Sequence, residues 1–318
     1  LGRNLSYGVT LLLLLAAGPM LMAVQNWDDH DRSDRYTARD IGANYLESCA
    51  PNAVLFTYGD NDSFPVWYVQ DVEQVRPDVR VANLSYIQAG WYIDMMRHKA
   101  FQSDPLPFSL GSEKYIEGVR VQMPVNTTVD KPQDIKTVVR FLGLDDRKFH
   151  VDLTGRGDFV NYLPTSKLLV SVDTNYVLAN GTVKEYFRDR LISPMIWEYS
   201  ESDALKGDLA IMDLLATNDW KRPVYMSTTV PGSQYKGLEK FFVQEGMAYR
   251  IVPIRTGEND EGDFGIIDPV VMYDNMMNKF AWGGTADPDV NIDFYHSRTH
   301  TVVRARLNHA RLARALVI

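Results

Sequence analysis

The chain has 318 residues, and its 41 acidic side chains outnumber its 33 lysines and arginines, which gives a net charge of −8. This balance argues against a general nucleic-acid-binding surface, which requires an excess of positive charge. Because Cys49 is the one cysteine of the sequence, an internal disulfide and a cysteine zinc site are both excluded. Its position in a helix pattern favours a buried, small apolar side chain over a nucleophile.

The first predicted element is a membrane helix. No charged residue occurs between Arg3 and Asp28, and the segment from Tyr7 to Val24 is almost wholly apolar. About twenty such residues in a helix cross the hydrocarbon core of a bilayer, so residues 1–26 are predicted to span a membrane. A cleaved signal peptide and a buried soluble helix are the alternatives.

The charges on either side of this helix predict its orientation. Arg3 precedes it and the acidic segment 28–31 follows it, so the positive-inside rule places the N-terminus in the cytoplasm. Residues 27–298 are therefore expected on the extracytoplasmic side, which in a bacterial cell is the periplasmic face of the inner membrane. The sequence begins at Leu1, and we expect further membrane helices upstream of it.

Strand and helix patterns alternate after the membrane segment. Residues 53–58 form a continuous apolar run that is typical of a strand buried on both faces. Residues 64–74 are predicted as a helix and residues 79–84 as a second strand. This strand–helix–strand order predicts a parallel sheet with a right-handed crossover.

A less regular insertion is expected at about residues 105–200, where alternating residues such as 119–123 indicate a small antiparallel element. The fold class is thus α/β, with a mostly parallel sheet, flanking helices, a smaller antiparallel insertion and one preceding transmembrane helix. The remaining predicted elements are helices at 33–48, 89–101, 135–142, 202–218, 238–244, 272–280 and 299–317, and strands at 168–172, 176–178, 224–228 and 248–254.

The sharpest candidate site is the turn that contains Asp60, Asn61 and Asp62. It follows a predicted buried strand and precedes a helix, and ligands of open α/β sheets bind at the carboxyl ends of strands. The two aspartates could hold a divalent cation or a sugar hydroxyl through their oxygens. The alternative is structural, with Asp62 or Ser63 capping the helix and Gly59 supplying the turn.

A second candidate is the polar cluster beyond the membrane helix, which includes Asp29, His30, Asp31 and Arg32. Carboxylates beside an imidazole can act as acid and base. One histidine is too few for a zinc site, and no metal ligand set is predicted anywhere in the chain. The alternative is a solvated turn that leads into the next helix.

Several segments spread over nearly the whole chain are familiar in combination. They are Trp27–Ser33, Arg35–Asp40, Cys49–Asn52, Leu55–Thr57, Gly59–Pro65, Trp67–Tyr68, Asn83–Ser85, Trp91–Asp94, Asn218–Pro223, Glu245–Arg250 and Lys279–Gly284. Together they resemble a bacterial family of multi-spanning membrane proteins known as domain of unknown function 2723, which is grouped with protein O-mannosyltransferase-like glycosyltransferases. One departure is Asp34, where this pattern has a glycine.

The resemblance implies a membrane glycosyltransferase of the GT-C type, which transfers a sugar from a lipid-linked donor to a protein hydroxyl outside the cytoplasm. Its primary catalytic residues would lie upstream of this chain, so Asp60–Asp62 and Asp29–Arg32 would assist or bind substrate. The helix from Thr299 would start a helical-repeat (TPR-like) region at residues 299–318. A non-enzymatic, membrane-tethered binding or assembly domain and a metal-dependent hydrolase remain as alternatives.

Overall fold

A computed structural model describes residues 2–257, 264–292 and 302–317, and for Asp28 and Asp29 it describes the backbone alone. The helical segment Arg3–Gln25 has 23 residues and a mean hydropathy of 2.0, and none of it is buried. It is therefore long and apolar enough to cross a membrane, although a signal sequence has the same character. Pro19 lies inside a π-helical turn of this segment, Ala16–Met20, which accommodates the missing N–H.

The helices and strands are numbered in chain order. The α-helices are α1 (Arg3–Leu15), α2 (Leu21–Gln25), α3 (Trp27–His30), α4 (Thr37–Glu47), α5 (Asp60–Asp71), α6 (Gly90–Met96), α7 (Ile135–Leu142), α8 (Thr174–Ala179), α9 (Lys206–Asn218), α10 (Pro269–Asp274) and α11 (Val303–Val317). The strands are β1 (Val54–Thr57), β2 (Arg80–Asn83), β3 (Gln122–Pro124), β4 (Gln133–Asp134), β5 (Val151–Asp152), β6 (Phe159–Val160), β7 (Lys167–Val170), β8 (Met195–Glu198), β9 (Asp203–Leu205), β10 (Val224–Ser227), β11 (Phe242–Gln244), β12 (Ala248–Ile251) and β13 (Ile266–Ile267).

Six strands form the main sheet, in the order β13-β11-β12-β10-β1-β2. β1 pairs in parallel with both β10 and β2, and β11 pairs in parallel with β13. β12 runs antiparallel to its neighbours β10 and β11. The predicted α/β class with a mostly parallel sheet is thus confirmed, and the β1–α5–β2 unit is the predicted strand–helix–strand motif.

Helices cover both faces of this sheet, as the continuous apolar strand patterns require. On one face, Leu55 and Tyr225 pack in a cluster with Tyr45 of α4 and Val66 of α5. On the other face, Val54, Phe56 and Met226 belong to a larger core that also contains side chains of α6, α7 and α9. Cys49 is buried in the first cluster, in agreement with its predicted role as a small apolar side chain.

Smaller sheets lie in and beside the insertion expected at about residues 105–200: β3 pairs with β9, which follows that range, β5 with β6, and β7 with both β4 and β8. One predicted strand there is wrong, because residues 176–178 lie in helix α8. The Asp173 carboxylate accepts hydrogen bonds from the N–H groups of Asn175 and Tyr176 and thereby caps that helix. The predicted helix at 238–244 is also wrong in part, since a 3₁₀ turn at Leu238–Phe241 leads directly into β11.

Helix α11 packs against the domain through its arginine and asparagine side chains as well as through Leu312. Arg304 donates to the Thr228 carbonyl (3.0 Å), Arg311 donates to the Phe264 carbonyl (3.1 Å), and Asn308 accepts from Gln244 Nε2 (2.9 Å). A basic face on an amphipathic helix is usually solvated, but here two of the arginines bind the domain. Residues 299–301 of the predicted helix lie outside the described residues.

Candidate functional site

The carboxyl ends of three parallel strands define the candidate site. β1, β2 and β10 end at Thr57, Asn83 and Ser227, and their pairing in one direction brings these ends to the same edge of the sheet. This is the edge at which α/β sheets bind ligands. The predicted Asp60–Asp62 turn lies here, and we refer to the polar side chains that follow these three strands as the polar edge.

Helix α5 begins at Asp60, four residues before its predicted start. Gly59 precedes it with φ 82°, a left-handed conformation that favours glycine, so the predicted role of Gly59 in the turn is confirmed. Asp60 and Asn61 are exposed, and the described residues give neither side chain a hydrogen bond. The acidic residues Asp60 and Asp62 in this first turn complement the positive end of the helix dipole.

Asp62 is buried, with 1% of its surface exposed. Its Oδ2 accepts hydrogen bonds from Tyr58 N–H (2.9 Å), Ser227 Oγ (2.9 Å) and Thr229 Oγ1 (2.8 Å). The predicted cap is therefore wrong in detail: the carboxylate binds the residue before the turn and the end of β10 instead of the first-turn N–H groups of its own helix. Asp62 thus connects the starts of two loops that are distant in sequence.

A second set of hydrogen bonds joins β1 to β2. The hydroxyls of Thr57 and Ser63 lie 2.7 Å apart, and Asn83 Nδ2 donates to Ser63 Oγ at 2.7 Å. Asn83 Oδ1 also accepts from the N–H groups of Ser85 and Tyr86. All three side chains are buried or nearly so, which fixes the loops beneath the exposed Asp60 and Asn61.

A tyrosine and an arginine complete the polar edge. Tyr45 donates to Thr229 Oγ1 (3.3 Å), and burial raises the pKa of Tyr45 to about 12, with the Asp62 carboxylate acting in the same direction. Arg304 lowers that pKa in part, and it binds the carbonyl of Thr228. The polar edge therefore contains a buried carboxylate, Asp62, and both this carboxylate and the Arg304 guanidinium act on the pKa of Tyr45.

Comparison with known families gives one match. A family model described as TMEM260-associated domain 2 matches residues 38–270, which include the whole six-stranded sheet, α5 and most of the polar edge. The chain belongs to this family. Comparison with curated proteins and with solved structures found no match. The matched region spans α4 to the start of α10, and α1–α3 and α11 lie outside it.

The juxtamembrane cluster of this TMEM260-associated domain makes local contacts. His30 Nδ1 lies 2.9 Å from the carbonyl of Asn26, and Asp31 accepts a hydrogen bond from Ser33 N–H (2.8 Å). Hydrogen bonds from Ser33 hold the pKa of Asp31 below its usual value. Arg32 is exposed, and the side chain of Asp29 lies outside the described residues. Neither of these two hydrogen bonds joins the cluster to Asp60–Asp62.

The unexpected Asp34 adopts φ 56°, the left-handed backbone that favours glycine and that aspartate tolerates. Asp34 therefore adopts a backbone conformation that glycine would adopt at a lower conformational free energy. Within 2–257, 264–292 and 302–317, no group of three or more His, Cys, Asp or Glu side chains could hold a metal ion.

Sequence reasoning missed most of the polar edge of the TMEM260-associated domain. Residues that directly follow predicted parallel strands are expected at one carboxyl edge of the sheet, where they can form a site together. The predicted site contained only the residues that follow β1. Arg304 and Tyr45 carried no such signal, because their positions depend on how α11 and α4 pack. The residues of the polar edge that the sequence did not single out are Tyr45, Thr57, Asn83, Ser227, Thr229 and Arg304.

Proposed function

We propose that this chain is the extracytoplasmic domain of a membrane glycosyltransferase that resembles the protein O-mannosyltransferases, and that its polar edge contacts substrate beside the reaction centre. The family match carries the proposal, because the family is named for its association with TMEM260, which is related to the protein O-mannosyltransferases. The combined motifs quoted for domain of unknown function 2723 support the same class, and within it the GT-C type with a lipid-linked sugar donor and a protein acceptor.

The proposed arrangement follows the chain. Residues 1–26 would anchor the domain in the membrane, residues 27–298 would form the extracytoplasmic part with its insertion at 105–200, and residues 299–318 would begin a helical-repeat region. The exposed, apolar surface of Arg3–Gln25 supports the anchor. Primary catalysis would take place in membrane helices upstream, so this domain would bind the acceptor protein or complete the donor site.

Asp60 and Asn61 are the best candidates for substrate contacts. They are exposed at the carboxyl edge of the sheet, and the buried bonds of Asp62 hold their turn in place. Carboxylate and amide groups bind sugar and peptide hydroxyls through hydrogen bonds. Asp62 would position the turn and would not itself touch substrate, because its side chain is buried.

A glycan-transfer assay of the full-length protein tests this assignment. Asp60→Ala combined with Asn61→Ala should lower transfer at least about tenfold, as expected for the loss of two hydrogen bonds to substrate. Membrane abundance should not change, because both side chains are exposed. Asp189→Ala is the matched control, since it removes an exposed carboxylate elsewhere. Unchanged transfer in the double variant would remove these residues from the site.

A second candidate is a non-enzymatic, membrane-tethered assembly domain. The observation that favours it is that Asp62 Oδ2 accepts three hydrogen bonds from within the domain. These bonds explain the buried carboxylate as a structural group that needs no role in substrate binding. This candidate predicts that the double variant retains transfer but loses a protein partner when the full-length protein is purified from membranes.

A further inference from the structure

A groove runs along the open edge of the main sheet, beside β2 and between α5 and α6. Its volume is about 510 Å³ and its lining is mainly apolar. Trp67 and Tyr86 stack with their centroids 6.0 Å apart, and Trp91 lies 6.4 Å from Tyr86 with 65% of its surface exposed. An exposed row of aromatic rings of this kind is typical of a binding surface.

The backbone of β2 leaves one residue unpaired toward this groove. Arg80 N–H donates to the Ala53 carbonyl and Leu84 N–H to the Thr57 carbonyl, both at 2.8 Å. In a parallel ladder this register turns the N–H and C=O groups of Val81 away from β1. Val81 lines the groove with 6% of its surface exposed, and its peptide groups point to the side of β2 on which the groove lies.

Side chains already occupy the positions on either side of Val81. Gln70 Nε2 donates to the Val79 carbonyl (2.9 Å), and Tyr92 OH accepts from Asn83 N–H (2.9 Å). These two bonds satisfy the neighbouring backbone groups of the sheet edge, which would otherwise pair with another strand. The edge therefore accommodates one residue of an added strand, between the Gln70 amide and the Tyr92 hydroxyl.

A buried cation lies at one end of the groove. Arg80 is 4% exposed; its Nη2 donates to the Met95 carbonyl (2.8 Å), whereas Nη1 is buried and has no hydrogen-bond partner among the described residues. A buried charge that lacks partners is costly. Lys99 also lines the groove, and Asp71 is the one acidic residue among the lining side chains. The lining therefore carries one more positive than negative formal charge, in a chain of net charge −8.

We propose that this groove binds an extended segment of a partner polypeptide, which pairs one residue with Val81, places an apolar side chain against Trp91 and directs a carboxylate toward Arg80. An acyl chain would fit the apolar lining but has no amide to pair with Val81. A polypeptide supplies both the amide and the acidic side chain, as in other cases of strand addition. The inference goes beyond the glycosyltransferase proposal and does not depend on it.

Peptide binding to the full chain in detergent micelles tests the proposal. The probes are fluorescein-labelled, end-capped heptapeptides of alternating threonine and valine with a central Phe-Asp pair, and the same peptides with Asn in place of Asp. Fluorescence polarisation should show the Asp peptide binding about fivefold or more tightly than the Asn peptide, because a charge-assisted bond to Arg80 is lost in the latter.

Three variants separate the parts of the groove. Trp91→Ala should weaken both peptides about tenfold, because an exposed aromatic anchor is removed without disturbing the core. Arg80→Gln should make the two peptides bind equally well. Lys99→Gln keeps the charge test available if Arg80→Gln does not fold, and it should reduce the preference for Asp. Tyr68→Ala is the control, since Tyr68 is an exposed aromatic residue of α5 outside the groove lining.

Several outcomes would overturn the proposal. Among them are the absence of saturable binding by either peptide and an equal loss of binding in Trp91→Ala and Tyr68→Ala. Saturable quenching of Trp91 fluorescence by a brominated fatty acid, with no response to the peptides, would indicate an acyl-chain site and would also contradict it. Because no glycan is transferred in these measurements, failure here leaves the transfer assay of Asp60 and Asn61 unaffected.

Discussion

Asp62 accepts a hydrogen bond from Ser227 at 2.9 Å, although the two residues lie 165 positions apart in the sequence. This bond joins the first turn of α5 to the end of β10 and runs directly beneath the exposed Asp60 and Asn61. The geometry of the proposed contact residues therefore depends on a buried carboxylate that substrate does not reach. Substitution of Asp62 should therefore lower the stability of the domain, whereas substitution of Asp60 or Asn61 should affect its function.

Asp62→Ala should destabilise the domain by about 3 kcal/mol, because the substitution leaves the Tyr58 N–H and the hydroxyls of Ser227 and Thr229 without their buried acceptor. Denaturant unfolding of the purified chain in detergent measures this change. The exposed Asp60→Ala serves as the control and should stay within about 0.5 kcal/mol of the parent. If Asp62→Ala lowered the free energy of unfolding no more than Asp60→Ala does, the hydrogen bonds of Asp62 would contribute no stability.

Gly42→Ala should separate α4 from α5. A Cβ atom at Gly42 would lie 2.5 Å from the Pro65 carbonyl oxygen, which is backbone and cannot move without shifting α5. We expect a loss of about 1–3 kcal/mol from this overpacking, together with altered chemical shifts for the 60–63 turn. Ala38→Ser on the exposed side of α4 is the control. If Gly42→Ala unfolds at the same denaturant concentration as the parent, the close helix contact is wrong.

Asp78 should make stability depend on pH. Burial raises the pKa of Asp78, but hydrogen bonds from Arg76 and from Asn52 N–H outweigh that effect, so the pKa lies below its usual 3.8. A carboxyl with a lowered folded-state pKa stabilises the protein above its unfolded-state pKa, and the stabilisation is lost as pH falls through the folded value.

Asp78→Asn therefore tests the pH effect. The substitution should cost about 1 kcal/mol at neutral pH, an estimate that allows for solvent screening of a partly exposed pair. The difference between parent and variant should shrink as pH falls from about 3.8 toward the lower folded-state pKa, because the carboxyl is protonated first in the unfolded state and then in the folded state. Unfolding midpoints at about pH 6 and about pH 3 measure it. A difference that is constant with pH would exclude the charged pair as its source.

The buried Cys49 permits a test of membrane side. Because the parent has one cysteine and it is buried, a membrane-impermeant maleimide should not label intact cells that produce it. Asp189→Cys places a thiol on the exposed surface of the domain and should become labelled from outside if the domain is extracytoplasmic. Labelling that requires cell lysis would reverse the proposed orientation. N-terminal sequencing of the same protein distinguishes a retained helix from a cleaved signal sequence.

Much of the fold was accessible from sequence because burial imposes a simple pattern. The apolar runs that became β1 and β2 have few alternative structures, and their order with α5 determines a parallel pairing. Short elements were less accessible. Residues 176–178 form a short apolar run that fits a strand, yet the Asp173 cap and the packing of Val177 select a helix. Boundaries also shifted, since Gly59 lets α5 start four residues earlier than Phe64.

The position of the Asp60–Asp62 turn was predictable, but the side chains that surround it were not. The Asp60–Asp62 turn lies at the sheet edge where the strand order puts it, whereas the burial of Asp62 could not be read from the sequence. Which of two nearby aspartates turns inward depends on donors that arrive from β10 and its loop, and those donors are set by tertiary packing. Arg304 depends in the same way on the docking of α11.

Glycopeptide mass spectrometry is the most direct test of the proposed glycosyltransferase function. Extracytoplasmic proteins would be compared from cells that produce the full-length protein, cells that lack it, and cells that produce the Asp60→Ala, Asn61→Ala double variant at normal abundance. The account predicts serine- or threonine-linked glycans that are present in the first cells, absent from the second and strongly reduced in the third. The same glycopeptides in all three would contradict it.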